Sequence, residues 1–206
     1  MKIPGKMLLF LLITQIAGCA FGTRYVHLTY PPDHDIAYEK LESSAPNELV
    51  PVSVNILLEV RDARPDGSRV GNIRNTVGMD TASAISDDNV VIWVQDAITM
   101  ELAQLGYEVA DHRYSDAGAS GYALTTDITK IYCDVYAMYD GEVTLNATLT
   151  RQSGESISRE FAAKVVSGMS FASSANGIEA SIAEALQSAI RQMLLELGFA
   201  RHSSVD

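Results

Sequence analysis

Asp140-Gly141-Glu142-Val143-Thr144-Leu145-Asn146-Ala147-Thr148-Leu149-Thr150 carries the plainest structural signal in the chain. Val143, Leu145, Ala147 and Leu149 fall on one side, and Glu142, Thr144, Asn146, Thr148 and Thr150 on the other. That two-residue period belongs to a strand with one buried face. Asp140-Gly141 ahead of it reads as a turn, and Ser153-Gly154 behind it as another. Upstream, Tyr122, Leu124 and Ile128 alternate with Ala123, Thr125 and Asp127; downstream, Ile157, Phe161, Ala163 and Val165 mark a third run. Strands over 122–134, 142–151 and 156–166 then form an antiparallel meander.

Farther out, the period changes. Val90, Val94, Ala97, Ile98, Leu102 and Leu105 recur at three- and four-residue spacing, as do Ile178, Ile182, Leu186, Ile190, Met193 and Leu197. Both sets predict amphipathic helices. Ser86-Asp87-Asp88 offers caps for the first, and Gly106 and Gly198 sit where a left-handed closing residue is favoured. Pro51 opens another strand, with Val52, Val54, Ile56, Leu58 and Val60 on one face, and Tyr107-Glu108-Val109 looks like a short one. Residues 61–85, with Pro65, Gly67, Gly71 and Gly78, read as a long loop. The expected fold is α+β, a mainly antiparallel sheet of about four to five strands with two amphipathic helices packed on one face.

The amino-terminal segment follows a different logic. Lys2 and Lys6 precede the apolar run Met7–Ile13, which is too short to span a bilayer. Charge, apolar run and small residues in that order make a secretory signal. Ile16-Ala17-Gly18-Cys19 resembles a bacterial lipobox, with Ile16, Ala17 and Gly18 read by the signal peptidase and the Cys19 thiol accepting diacylglycerol. Cleavage after Gly18 leaves 188 residues, 13 basic against 26 acidic. Several acyl chains on one terminus anchor a protein stably without a transmembrane helix. Ala20, where an aspartate would favour inner-membrane retention, points to the outer membrane. The expected organisation is a signal peptide over 1–18, a lipidated tether over 19–50, one periplasmic α+β domain over 51–200 and a disordered tail over 201–206.

Composition narrows function by exclusion. The 206 residues hold 15 Lys+Arg and 26 Asp+Glu, a formal charge of −11, which disfavours sequence-independent nucleic-acid binding. His27, His34, His112 and His202 lack the spacing of a zinc site, and Asp33-His34-Asp35 reads as a solvated turn. No Gly-Lys-Ser/Thr follows the glycines of 61–85, so no phosphate loop is expected, nor any metal or cofactor. Gly168-Met169-Ser170-Phe171-Ala172 approaches a nucleophile elbow, but the helix starts some six residues beyond Ser170 and only His202 lies downstream. An ordinary loop is expected there, with a serine hydrolase using Ser170 as the alternative. Cys133, in an apolar-aromatic run, reads as buried and inert. Arg61, Arg64, Arg69 and Arg74 cluster after the first strand as candidate contacts for an anionic ligand or partner. Local pairing with Glu59, Asp62 and Asp66 is the competing reading.

The lipobox, Asp62-Ala63-Arg64 after the first strand, Leu105-Gly106-Tyr107, Thr144-Leu145-Asn146-Ala147 and the capped terminal helix together resemble the YajG-like family of small Gram-negative lipoproteins. That resemblance covers most of residues 19–199. It implies an outer-membrane lipoprotein facing the periplasm and carries over no catalytic residue. The expected role is a non-enzymatic binding or scaffolding module with an envelope protein partner. The alternative is an auxiliary lipoprotein of a lipid or envelope transport machine, for which an apolar groove between sheet and helices would speak.

Overall fold

A computed structural model describes residues 22–30, 49–52, 54–111, 121–169 and 173–199. Eight strands form one sheet: β1 (Arg24–Tyr25), β2 (Asn55–Asp62), β3 (Arg69–Arg74), β4 (Asp80–Ile85), β5 (Glu108–Asp111), β6 (Tyr122–Val135), β7 (Met138–Thr150) and β8 (Ser156–Met169). Among the described residues two helices accompany it, α1 (Val90–Gln104) between β4 and β5, and α2 (Ala175–Glu196) after β8.

The β6–β7–β8 meander forms as the alternation predicts, but its first turn does not. Asp140-Gly141 lies inside β7, with Gly141 opposite Cys133 on one side and Val165 on the other. The chain reverses instead at Tyr136-Ala137, where the Tyr136 N–H donates to the Met138 carbonyl at 3.3 Å. Gly141 is needed because α2 crosses there: a Cβ would run into the Ser181 backbone. A glycine that reads as a turn in sequence is here a close approach of helix to strand.

The sheet is also larger than expected, and mixed. β2 pairs parallel with β5 and β6, β3 parallel with β6, and β1 parallel with β4, while β3–β4, β6–β7 and β7–β8 are antiparallel. The expectation of a mainly antiparallel sheet of four to five strands fails for two reasons. α1 is a crossover that returns the chain parallel to β2. The segment read as a long loop holds the β3–β4 hairpin, whose small and polar residues hide it. Gly71 again looks like a loop residue, yet it sits in β3 because the Cys133 carbonyl leaves no room for a side chain. Arg24–Tyr25, within the stretch read as tether, adds β1, and Val26 after it is buried.

Both helices lie on one face, since α1 and α2 touch one another as well as the sheet. Leu58, Leu124, Ile128, Ile182, Leu186 and Ile190 are at most 1% exposed and fill the layer between. Burying such side chains stabilises by about 1.5–3 kcal/mol each. Asn89, rather than Ser86 to Asp88, caps α1 by accepting from the Ile92 N–H at 3.1 Å. Ser174 caps α2, accepting from the Gly177 N–H at 3.1 Å, and its own N–H donates to the Tyr139 hydroxyl at 2.9 Å. Gly106 and Gly198 close the helices at φ of 90° and 97°. The rings that follow, Tyr107 and Phe199, meet edge to face at 5.1 Å, so the two helix ends pack together. The opposite face is polar: Thr148 donates to Ser158 at 2.9 Å, and Lys130 pairs with Glu142 at 2.7 Å.

Candidate functional site

β6 serves two partners on one edge. β2 runs beside it as far as Asp62 opposite Ile128, and β3 joins at Gly71 opposite Cys133. Between them, Thr129–Tyr132 face a loop, residues 63–68, instead of a strand. The sequence breaks the ladder here because Pro65 has no N–H to donate and Asp62 draws the chain into a turn. The Asp62 carboxylate accepts from the Arg64 backbone N–H at 3.1 Å and from its guanidinium at 2.9 and 2.8 Å. Arg64 also donates to the Gly67 and Arg69 carbonyls, and its side chain is only 3% exposed. The loop is wound around that guanidinium. The Arg64 hydrogen bond holds the Asp62 carboxyl below the usual carboxylate range.

The notch so formed is a cleft of about 250 Å³, lined among others by Arg64, Arg69, Thr129, Lys130 and Tyr132. A second recess of about 360 Å³ lies across Arg69, against Gly22, Asn72, Asp80 and Thr81. Arg69 is thus shared by both. Its Nη2 donates to the Asn72 side chain, whose amide donates on to Asp80 at 2.9 Å. Its Nε is buried without a partner, while its backbone N–H donates to the Asp66 carboxylate at 3.2 Å. Burial raises the Tyr132 phenol above its ordinary range, while the Arg69 charge pulls the other way. A planar cation with an amide as its acceptor, flanked by a phenol, by Lys130 paired with Glu142 and by the Asp66 carboxylate, is a geometry in which the guanidinium can meet one further acidic group.

The four arginines do not converge. Arg61 pairs with Glu59 at 2.8 and 2.7 Å on the exposed surface. Arg74 spans Asp80 at 3.4 Å and Asp134 at 3.0 Å. Only Arg64 and Arg69 reach the cleft, and Arg64 is committed to Asp62. Lys130 and Tyr132 were not legible as site residues, since they come from a strand some sixty residues away whose register no local pattern reveals. Also unforeseen is a buried ion pair between the helices. Glu101 is fully buried, accepts from Arg191 Nε at 3.2 Å and from the Tyr30 hydroxyl at 2.6 Å.

Ile16, Ala17, Gly18 and Cys19 lie outside the described residues, as do Ser170, His34, His112 and His202. Among the described residues no cluster of three metal-ligating side chains occurs, and no helix is long and apolar enough to cross a membrane. Cys133 is buried, and that burial pushes its thiol up to about 12.

A family model for an uncharacterized lipoprotein matches residues 43–197. No curated protein matches the sequence. Among solved structures, protein XCC0632 from Xanthomonas campestris is similar with a TM-score of 0.53 at 18% identity, over 86% of this chain and 94% of that one. An uncharacterized protein aligns with a TM-score of 0.50 at 14% identity, over 73% of this chain and 96% of its own. Lipoprotein GNA1162 from Neisseria meningitidis gives a TM-score of 0.36 at 13% identity, over 55% of this chain and 84% of that one. At these identities the first two show a shared fold alone, and the third carries no argument. The family match spans β2 through α2, the greater part of the sequence, and the chain therefore belongs to this lipoprotein family.

Proposed function

We propose that the protein is held by lipid on Cys19 at the periplasmic face of the outer membrane and works there as a non-enzymatic binding or scaffolding module. Membership of a lipoprotein family supports the anchor, and Ile16-Ala17-Gly18-Cys19 supplies the residue to carry it. The finer likeness to the YajG-like family belongs to the same proposal. One observation carries the binding role: Arg69 lines an open cleft with its Nε buried without a partner and its guanidinium held by the Asn72 side chain. In a chain this acidic, such a cation is a place for an acidic side chain of an envelope protein to dock.

A photo-crosslinking residue in place of Lys130, in living cells, tests this. Capture of a discrete envelope protein, lost on Arg69→Glu and retained on Arg61→Glu, supports the module. Capture unaffected by Arg69→Glu overturns the role given to that residue. A captured component of a lipid transport machine would assign the protein to lipid traffic, the alternative reading.

A further inference from the structure

Ten large apolar side chains are exposed among the described residues, and six of them gather at one end of the sheet. Val77 (72% exposed) and Met79 (62%) form the β3–β4 turn, Tyr136 (51%) and Met138 (43%) the β6–β7 turn, and Met169 (67%) and Val166 (54%) the end of β8. The three pieces touch: Tyr136 donates its hydroxyl to the Thr76 carbonyl at 2.8 Å, and Met138 lies opposite Met169. The charges behind them are partly paired, Arg74 with Asp80 and Asp134, and Lys164 with Asp140 at 2.8 Å. The other end of the meander, Gln152-Ser153-Gly154-Glu155, is exposed and polar. A contiguous apolar patch on a monomer marks an interaction surface.

The path of the chain says what the surface meets. β1 runs parallel to β4, with Arg24 beside Ala84, and Gly22 borders the same recess as Asp80 and Thr81. Followed backwards from Arg24, the chain therefore heads for Met79 and the apolar end. Five residue steps separate Arg24 from Cys19, a reach of at most about 18 Å. Four steps of β4, from Ala84 to Asp80, cover about 13 Å. An acylated Cys19 thus comes within reach of the Val77–Met79 turn, from which the other apolar side chains continue across the end of the sheet.

Resting on the lipid anchor proposed above, we infer that this end of the sheet, Val77, Met79, Tyr136, Met138, Val166 and Met169, is a membrane-docking surface that dips into the lipid layer holding the anchor. The domain stands on the bilayer, sheet upright, with the Arg69 cleft to the side. Tyr136 suits the position, since its ring is apolar and its hydroxyl is already satisfied.

Single cysteines report the orientation, because Cys133 is buried and an acylated Cys19 has no free thiol. Met79→Cys, Met138→Cys and Ser153→Cys, labelled with an environment-sensitive fluorophore, are placed as acylated protein in phosphatidylethanolamine–phosphatidylcholine vesicles. The labels at 79 and 138 shift to the blue, and the one at 153 does not. Equal emission from all three overturns the docking surface. A blue shift that disappears as the protein is diluted among empty vesicles also overturns it, and assigns the face to a second copy of the chain. The mass of the amino-terminal peptide separates the two proposals. Acylation without the blue shift removes only the docking surface; no acyl mass removes the anchor, and the surface with it.

Discussion

Asp62 and Arg64 are two residues apart and carry opposite charges, so each could have been an ordinary surface group. Instead, Arg64 is almost fully enclosed and its guanidinium satisfies two loop carbonyls as well as the carboxylate. Asp62→Asn leaves that cation with a poorer acceptor, and a loss of about 2 kcal/mol in urea unfolding is expected. The same pair gives an acid limb. The Asp62 carboxyl titrates lower folded than unfolded, so its contribution is complete above the unfolded value near pH ~4 and disappears as pH falls through the folded one. Wild type should therefore lose more stability than Asp62→Asn below pH ~4, measured as the narrowing gap between their urea midpoints. Between the helices the stakes are higher. Glu101→Ala strands the buried Arg191, and about 3–5 kcal/mol is expected from the same measurement. Pairing of Arg61 and Arg64 was legible from the charges beside them, whereas the partners of Arg74, Asp80 and the distant Asp134, were not. The Glu101–Arg191 pair was not, because residues ninety positions apart announce nothing about each other in a single sequence.

At the scale of elements, side-chain period was a reliable guide and glycine was not. β6, β7, β8 and both helices follow from alternation or three-four spacing, because burial on one face leaves that imprint. β3 and β4 leave none: Arg69-Val70-Gly71-Asn72-Ile73-Arg74 and Asp80-Thr81-Ala82-Ser83-Ala84-Ile85 are short, and several of their positions are small or polar. Gly71 and Gly141 misled for one physical reason. A missing Cβ serves a turn and a tight packing contact equally well, and only the neighbouring element decides which. Substitution separates the cases. Gly141→Ala drives a methyl into the Ser181 backbone, so α2 must shift off β7 at a cost of about 1–3 kcal/mol or more. Gly154→Ala, in open space at φ 84°, meets only the strain of the left-handed conformation, about 1–2 kcal/mol. Thermal unfolding of the two variants, with α2 helicity followed by circular dichroism, distinguishes a displaced helix from a strained turn.

Across the whole molecule, Cys133 is a built-in reporter. It lies in β6 between β3 and β7, its thiol pushed up to about 12 by burial. Folded protein at pH ~8 should resist maleimide, and labelling in urea should follow the global unfolding curve. Because the folded thiol stays protonated where the unfolded one ionises, its contribution is intact below pH ~8.5 and declines as pH rises beyond it. Labelling well before global unfolding would show β3 peeling away by itself. Fold class and the helical layer were visible in the sequence because burial patterns are local. The cleft was not, since it arises where β2 and β3 fail to meet along β6, a matter of register between distant segments.

That arrangement has a consequence for how the chain acquires its shape. The strand on which both β2 and β3 depend lies later in the sequence than either of them. A polypeptide emerging amino terminus first would release more than half its length, β2 with its apolar Ile56, Leu58 and Val60 included, before the strand that joins β2 to β3 exists. Until then these apolar side chains stay open to self-association, a hazard that long-range strand pairing is slow to resolve.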